Sequence, residues 1–310
     1  MFIKKLYNYK LVFIGDTNSI NLEIIEKAHN ELISKKIKYI LLGNLEEANS
    51  YFKKIKSKKK FFEILDFKQV IKMNKHKINF FDIGTAKGEK SLNIINQINI
   101  SNNLCKFTKK DLVTMPINKS IIKKNYLFNG MTEYLGMINN SDTYMLMRGD
   151  QFSIIPLTTH VKFTDIFKNI KISKINNYLY QIIENLKIKK VNYNKIIILG
   201  INPHAGENGT LGDEELIINQ IIKQIIKKEK ITIIGPVAAD SAFRNIDKKS
   251  LYISFYHDQA LIPFKIINKI AVNFTIGLQY NRYSPAHGTA EDIIFKNKAD
   301  ITSYKRCMLY

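Results

Sequence analysis

The chain has 310 residues, of which 45% are hydrophobic, with a formal net charge of +21 at pH 7 and only two cysteines. This length allows one large or two moderate domains, and no apolar run reaches the roughly 18 residues of a membrane span. Two distant cysteines, Cys105 and Cys307, form neither a disulfide framework nor a zinc cluster. We therefore expect a protein of the reducing cytoplasm. The basic start of the chain passes directly into a strand-like run, which predicts no signal peptide.

The positive charge comes almost entirely from lysine. Arginine occurs at four positions, so 44 of the 48 cationic residues are lysines. Nucleic-acid sites usually combine arginine with stacking aromatic side chains, whereas these lysines are scattered along the chain. We therefore expect a solvated lysine-rich surface and no nucleic-acid partner. A lysine-driven nucleic-acid binder remains the alternative, and it predicts steeply salt-dependent binding.

Short β-branched runs alternate with longer helical patterns along the chain. Helices are predicted at 20–36, 164–189 and 213–228, where apolar residues recur at helical spacing. Strands are predicted, in chain order, at 10–16, 37–44, 78–84, 111–116, 152–160, 195–200, 231–236, 251–257 and 269–277. This alternation predicts an α/β fold with a largely parallel sheet. A two-lobed α/β/α protein whose chain crosses between the lobes would show the same pattern.

Three histidines follow three predicted strands: His160, His204 and His257. In a parallel sheet, ligands lie beyond the carboxyl ends of the strands, so these side chains are candidates for a metal site with three protein ligands and one open position. Asp258, beside His257, is a candidate oxygen partner. The alternative is three unrelated loop histidines.

The other histidines carry weaker signals. His29 lies in a predicted helix and His76 in a polar stretch, and we expect both to be surface residues. His287 lies in "NRYSPAHGTAEDI", which predicts a turn before a helix. Four polar or cationic residues are candidates for a phosphate-binding pocket: Lys119, Lys265, Asn273 and Arg282.

Glycine usage excludes two nucleotide motifs. No two of the 14 glycines are separated by a single residue, so the G-x-G-x-x-G fingerprint is absent, as is a Walker loop. The stretch "NPHAGENGTLGDEE" (202–215) is glycine-rich and leads into a helix, whose first turn is suited to Asp213, Glu214 and Glu215. Its simplest reading is a helix-capping loop.

Several of these stretches together resemble the 4-hydroxythreonine-4-phosphate dehydrogenase family of pyridoxal phosphate biosynthesis. They are "LVTMPINKSII", "GMTEYLG", "TTH", "INPHAGENGTLGDEE", "GPVAADSAF", "YHDQALIPFK" and "VNFTIGLQYNRYSPAHGTAEDI". They occur in family order between residues 112 and 300. The "HGTA" stretch also resembles the adenosine-binding loop of the isocitrate and isopropylmalate dehydrogenases, which implies that fold.

The resemblance implies roles for individual residues. It implies a divalent metal (zinc, magnesium, manganese or cobalt) bound by His160, His204 and His257, with one histidine reaching across from the second subunit of a homodimer. The substrate and its phosphate would be bound by Thr132, Asp240, Lys265, Asn273 and Arg282. NAD or NADP would be bound by His287, Gly288, Thr289 and Ala290. Lys119 and Asp258 are the candidate catalytic residues.

The implied architecture has two lobes. Residues 1–125 with 275–310 would form the lobe on the cofactor side, and residues 126–274 the lobe with the metal, substrate and dimer contacts. The implied reaction is metal-assisted oxidation of a secondary hydroxyl by the nicotinamide cofactor, followed by loss of carbon dioxide.

The chain departs from the family pattern at several points. Met131 stands where the family has histidine, Ala286 replaces an aspartate, the N-terminal glycine pattern is lost in "GDTNSINLE", and a final helix is expected to be missing after Tyr310. Because methionine cannot donate to a substrate oxygen, a relative acting on threonate or erythronate 4-phosphate is the alternative. A non-catalytic relative that binds metal or nucleotide is a third.

Overall fold

The computed structural model describes residues 8–67, 73–84, 89–122, 126, 128–169, 172–229 and 231–310. It divides into two compact units. The first contains the chain up to Tyr134 together with Gln279–Tyr310, and the second contains Leu135–Leu278.

The sheet of the first unit consists of short parallel strands. They are β1 (Tyr9–Phe13), β2 (Lys38–Gly43), β3 (Phe61–Glu63), β4 (Ile78–Asp82), β5 (Leu112–Thr114) and β12 (Arg282–Pro285), in the order β3-β4-β2-β1-β5-β12. Every described pair among them is parallel. The β1 residues Leu11, Val12 and Phe13 are fully buried, as expected for a strand covered on both faces.

Helices surround this sheet. They are α1 (Asn21–Ser34), α2 (Leu45–Lys54), α3 (Lys90–Thr108) and α9 (Thr302–Leu309), and α4 (Met131–Ile138) begins at the end of the unit. The side chain of Asn44 caps α2 by accepting a hydrogen bond from the Glu47 backbone N–H, and α2 has acids in its first turn and lysines in its last. This charge order suits the helix dipole.

The second unit has a mixed sheet. Its strands are β6 (Tyr144–Gly149), β7 (Ser153–Pro156), β8 (Lys195–Leu199), β9 (Ile233–Val237), β10 (Ser250–Ser254) and β11 (Ala271–Ile276), in the order β11-β6-β7-β10-β8-β9. Strand β6 runs antiparallel to both of its neighbours, and the described pairs among β7 to β10 are parallel. The helices are α5 (Ile166–Asn169), α6 (Ile172–Ile188), α7 (Glu214–Glu229) and α8 (His257–Ile267).

The predicted α/β class with a largely parallel sheet is confirmed. Each of the nine predicted strands corresponds to an observed one, whereas β3, β6 and β12 were not predicted. The helix predicted at 164–189 is α5 followed by α6, and residues 170–171 between them lie outside the described residues, as does residue 125 at the predicted lobe boundary. Among the described residues, no helix has both the length and the apolar composition needed to span a membrane.

Two local predictions are wrong. His29 is not a surface residue: it is 3% exposed, and its Nδ1 forms a 2.7 Å hydrogen bond with the Tyr39 hydroxyl. That phenol gives the buried imidazole a polar partner, as buried polar groups require. The segment expected to be a turn before a helix instead begins with the buried strand β12, and only the short 3-10 helix Glu291–Ile293 follows it.

Candidate active site

Two of the three candidate histidines lie together in the second unit. His160 follows β7, and His257 is the first residue of α8, which begins just after β10. Because β7 and β10 are paired in parallel, their carboxyl ends place both side chains at one edge of the sheet. Their ring centres are 5.9 Å apart, and both rings line a cavity of about 480 Å³ with Thr158, Tyr256 and Asp258.

This histidine pair fits a shared metal ion. A metal about 2.0–2.1 Å from an imidazole nitrogen lies about 3.2 Å from the ring centre, so two rings on one tetrahedral ion, at a ligand angle of about 110°, have centres about 5.2 Å apart. The observed distance between the ring centres, 5.9 Å, is somewhat wider than that. Nδ1 of His257 donates to Oδ1 of Asp258 over 2.7 Å, which leaves Nε2 for a metal. Carboxylates commonly orient metal-binding imidazoles in this way.

The third histidine is not grouped with this pair. Within the described part of this single chain, no three His, Cys, Asp or Glu side chains are clustered as they would be around a metal. His204 follows β8, in the segment Pro203–Gly209. Among the described residues, one chain therefore brings two of the three predicted ligands together at the cavity, and His204 is not grouped with them.

The loop that carries His204 has an unusual backbone. Five consecutive residues, 204–208, have left-handed φ and ψ angles, with φ values of 51°, 54°, 76°, 44° and 57°. Only Gly206 among them is a glycine. For other residues this conformation costs roughly 1–2 kcal/mol each. Such strain persists only where the surroundings enforce it, and it is concentrated at functional sites.

A buried carboxylate that the sequence did not single out lies against this loop. Glu215, in the first turn of α7, is 3% exposed. One of its oxygens accepts hydrogen bonds from the backbone N–H groups of Ile201 and Asn202, over 2.8 and 2.7 Å. The other accepts from the Asn202 side chain over 3.0 Å. The sequence signal was only that of an acid at a helix start, so its structural role was missed.

In the first unit, the buried guanidinium of Arg282 contacts two threonine hydroxyls. Arg282 begins β12 and is 3% exposed. Its Nε and Nη2 both donate to the Thr114 hydroxyl, over 2.9 and 2.5 Å, and Nη1 makes a longer 3.4 Å contact with the Thr132 hydroxyl. Burial lowers the pKa of Arg282 to about 10, against the opposing effect of nearby anionic groups such as Glu133. The guanidinium therefore stays charged at neutral pH.

Lys119 has an ammonium group with an altered pKa. It begins the short 3-10 helix Lys119–Ile121, and its Nζ donates to the Asn129 carbonyl oxygen over 3.2 Å. Although the side chain as a whole is exposed, desolvation of the ammonium group lowers the pKa of Lys119, and the charge of Glu133 opposes that shift. A lysine with a lowered pKa is a suitable proton acceptor.

The remaining predicted substrate residues lie in the second unit. Asn273 is in β11, opposite Met147 of β6, and its Oδ1 is buried without a hydrogen-bond partner in the described structure. An orphaned buried acceptor of this kind is a candidate ligand contact. Lys265 is exposed in the last turn of α8, and Asp240 is exposed in the turns after β9.

The "HGTA" loop has features that suit a bound cofactor. The Gly288 carbonyl accepts from Nδ1 of His287 over 2.8 Å, so Nε2 is an acceptor, and that atom is buried without a partner among the described residues. Desolvation lowers the pKa of His287, which favours the neutral ring. A Cβ placed on Gly288 would meet nothing within 4 Å. The Thr289 carbonyl accepts from Ile20 N–H just before α1, which fixes the loop.

Comparisons with known proteins agree on one family. The family model described as pyridoxal phosphate biosynthetic protein PdxA matches residues 11–310. The 4-hydroxythreonine-4-phosphate dehydrogenase of Sulfurihydrogenibium sp. is 32% identical over 301 residues, which is 94% of each chain. The enzyme of that name from Aquifex aeolicus is 41% identical over 194 residues, 61% of this chain and 60% of that one.

Two further comparisons bear on substrate and fold. A relative from Oceanobacillus iheyensis, provisionally named a D-threonate 4-phosphate dehydrogenase, is 34% identical over 196 residues, 61% of this chain and 59% of that one. The solved structure of 4-hydroxythreonine-4-phosphate dehydrogenase from Klebsiella pneumoniae matches with a TM-score of 0.78 at 24% identity, over 98% of this chain and 99% of that one. At that identity the likeness establishes the fold.

Proposed function

The chain belongs to the pyridoxal phosphate biosynthetic protein PdxA family, and from this membership we propose that it is a 4-hydroxythreonine-4-phosphate dehydrogenase. The reaction would be the oxidation and decarboxylation of 4-phosphooxy-L-threonine to 3-amino-2-oxopropyl phosphate, with NAD or NADP and a divalent metal. The structural observation that best supports this assignment is the pair of histidines, His160 and His257, which share one cavity with Asp258.

In the second unit, the proposed role of the site residues is to bind the metal and the substrate and to orient them. His160 and His257 would bind the metal, which when bound polarises the hydroxyl that is oxidised. Asp258 fixes the tautomer of His257 by accepting from its Nδ1. Asn273 would accept a hydrogen bond from the substrate through its buried Oδ1. Lys265 would contact the substrate with a positive charge, and Asp240 would contact it with a negative charge.

In the first unit, Arg282 and Thr132 would bind the phosphate. A planar guanidinium offers two parallel N–H donors to an anion, and Thr114 fixes the orientation of that guanidinium by accepting from Nε and Nη2. Lys119 would accept the proton of the substrate hydroxyl, because desolvation of its ammonium group favours the neutral amine. The loop 287–290 would hold the nicotinamide cofactor, which accepts the hydride.

We also propose that the enzyme works as a homodimer, because the described residues of one chain bring two, and not three, of the predicted metal ligands together. Large apolar side chains are exposed near both halves of the predicted triad: Phe163, 83% exposed, lines the histidine cavity, and Leu211 and Leu216, 47% and 44% exposed, are near the His204 loop. A partner covering them would remove apolar surface from water. The free, buried state of Cys105 and Cys307 supports a cytoplasmic location.

The test is cofactor reduction with 4-phosphooxy-threonine, using chelated protein and protein resupplied with zinc, magnesium, manganese or cobalt. His160→Ala and His204→Ala variants should both lose turnover and metal, whereas His76→Ala, which removes an exposed histidine of the first unit, should retain both. Mixing the two inactive variants should restore about a quarter of the activity if each site takes histidines from both subunits, because a mixed dimer then has one intact site. Turnover that survives chelation and either alanine variant would refute the metal role.

The second candidate is a D-threonate or erythronate 4-phosphate dehydrogenase. It is favoured by the Oceanobacillus iheyensis relative and by Met131, which begins α4 next to Thr132 and cannot donate a hydrogen bond. A higher kcat/KM for the amine-free substrate would select this candidate. Metal binding without turnover on either substrate would indicate a non-catalytic relative.

A further inference from the structure

The starting observation is the strained loop that carries His204. Three of its five left-handed residues, His204, Ala205 and Glu207, are neither glycine nor asparagine, so the loop stores roughly 3–6 kcal/mol of conformational strain. Without compensating contacts it would relax toward right-handed or extended backbone, and the imidazole would move with it. Something in the surrounding structure must therefore enforce this conformation.

Glu215 makes the contacts that can do so. Its carboxylate receives two backbone N–H bonds from the residues that join β8 to the loop, and one bond from the Asn202 side chain. It also packs against the loop itself, because a Cβ placed on Gly206 would lie 2.6 Å from Oε2. The start and the middle of the loop are thus held by one buried side chain, which lies at a helix N-terminus where a negative charge is favourable.

The neighbouring acid, Glu214, provides a comparison within the same turn. It contacts the Asn202 side chain over 2.9 Å, but none of its described hydrogen bonds is to a backbone N–H of the loop, and it is less buried. Both acids are equally suited to the helix dipole. If the two acids only stabilised the helix N-terminus, replacing either one should have the same effect. If Glu215 holds the loop, replacing Glu215 should have the larger effect.

We infer that Glu215 is the positioning residue for His204: it holds the left-handed loop in the conformation that presents the imidazole. This inference rests on the proposed function for the identity of His204 as a metal ligand, but the conformation of the loop can be tested without metal. Residues that orient metal ligands typically change metal affinity by about 10–100-fold when they are replaced.

The experiment compares Glu215→Gln, which keeps the shape but places an amide against the Asn202 amide, with Glu214→Gln as the matched control. Hydrogen exchange of the backbone amides at 201–212 and the His204 ring signals in NMR spectra would be recorded without metal. Zinc affinity would be measured by competition with a chelator. We expect Glu215→Gln to speed exchange at Ile201 and Asn202, to shift the His204 signals and to weaken zinc binding about 10–100-fold, while Glu214→Gln changes each far less.

Several results would overturn the inference. If the two variants have equal effects, Glu215 acts only as an acid at the helix N-terminus. If Glu215→Gln speeds exchange but leaves the His204 signals and the zinc affinity unchanged, Glu215 stabilises the loop without positioning His204. If the wild-type protein binds none of zinc, magnesium, manganese and cobalt, the proposed metal role fails, but the exchange and NMR data still decide whether Glu215 holds the loop. Should Glu215→Gln not fold, Asn202→Ala removes one bond to Glu215 together with the bond to Glu214. It should then change the same signals more than Glu214→Gln does, and equal changes would count against Glu215.

Discussion

The hydroxyl of Thr114 should control both the stability of the first unit and its affinity for phosphate. It accepts two hydrogen bonds from the Arg282 guanidinium, and the two residues are 1% and 3% exposed. Thr114→Val preserves the shape of the side chain, so no cavity forms, but it removes the acceptor. Hydrogen bonds to charged groups contribute about 1.5–3 kcal/mol each, and a buried donor that loses its partner costs about 1–3 kcal/mol.

We therefore expect Thr114→Val, which removes both bonds, to lower the free energy of unfolding by about 3–6 kcal/mol. The reoriented guanidinium should also raise KM for the phosphorylated substrate by about tenfold or more, since about 1.4 kcal/mol of lost binding is a factor of ten. The effect on kcat should be smaller, because no bond of the phosphate group is made or broken in the reaction and its binding is therefore similar in the ground and transition states. Urea unfolding and steady-state kinetics measure these quantities.

Two controls separate this role from the general cost of replacing a threonine. Thr114→Ser keeps the hydroxyl and should restore most of the affinity. Thr108→Val removes a hydroxyl whose described hydrogen bond is to the Leu104 carbonyl within α3, and it should leave KM unchanged. A Thr114→Val enzyme with wild-type KM and wild-type unfolding free energy would show that the Thr114 hydroxyl does not hold Arg282.

Further expectations concern the His204 loop and Lys119. Gly206→Ala should lower the free energy of unfolding by about 2–4 kcal/mol, because it adds left-handed strain and a collision with Glu215. The control is Gly84→Ala, which has a similar φ of 74° but nothing within 4 Å of the new Cβ, and it should lower the free energy of unfolding by about 1–2 kcal/mol. Equal losses in urea unfolding would argue against the collision. The base at Lys119 must be neutral, so kcat/KM should rise with pH, and the lowered pKa places that rise below the range of an ordinary lysine. A pH profile of Lys119→Met that keeps the same rise would assign the base to another group.

The sequence predicted elements well where the hydrophobic pattern was long. Helix α7 and strands β1, β2 and β10 carry runs of isoleucine, leucine and valine that identify them directly. Strand β12, by contrast, is the four residues RYSP, and a buried arginine followed by a proline reads as a turn. Its strand conformation is set by pairing with β5, a contact between residues about 170 positions apart that no local pattern contains.

The same distinction applies to the site. Histidine is rare in this chain, so three histidines placed after strands were a visible signal. The chain has 27 acidic residues, and nothing in a local window distinguishes Glu215 from its neighbour Glu214. What distinguishes them is burial against two backbone N–H groups, which depends on where β8 ends relative to α7.

The groups that perform chemistry and the groups that hold them in place are therefore visible by different means. His257, Lys119 and Lys265, the proposed reacting and binding groups, are partly or largely exposed, as residues proposed to meet a substrate have to be, and their side-chain chemistry made them candidates. Thr114 and Glu215 are buried, and their side chains have no catalytic chemistry of their own here; they act by accepting hydrogen bonds. Replacing a supporting residue of this kind keeps the reacting side chains but displaces them. The effect of the replacement should therefore appear first in KM, metal affinity and amide exchange, and only then in kcat.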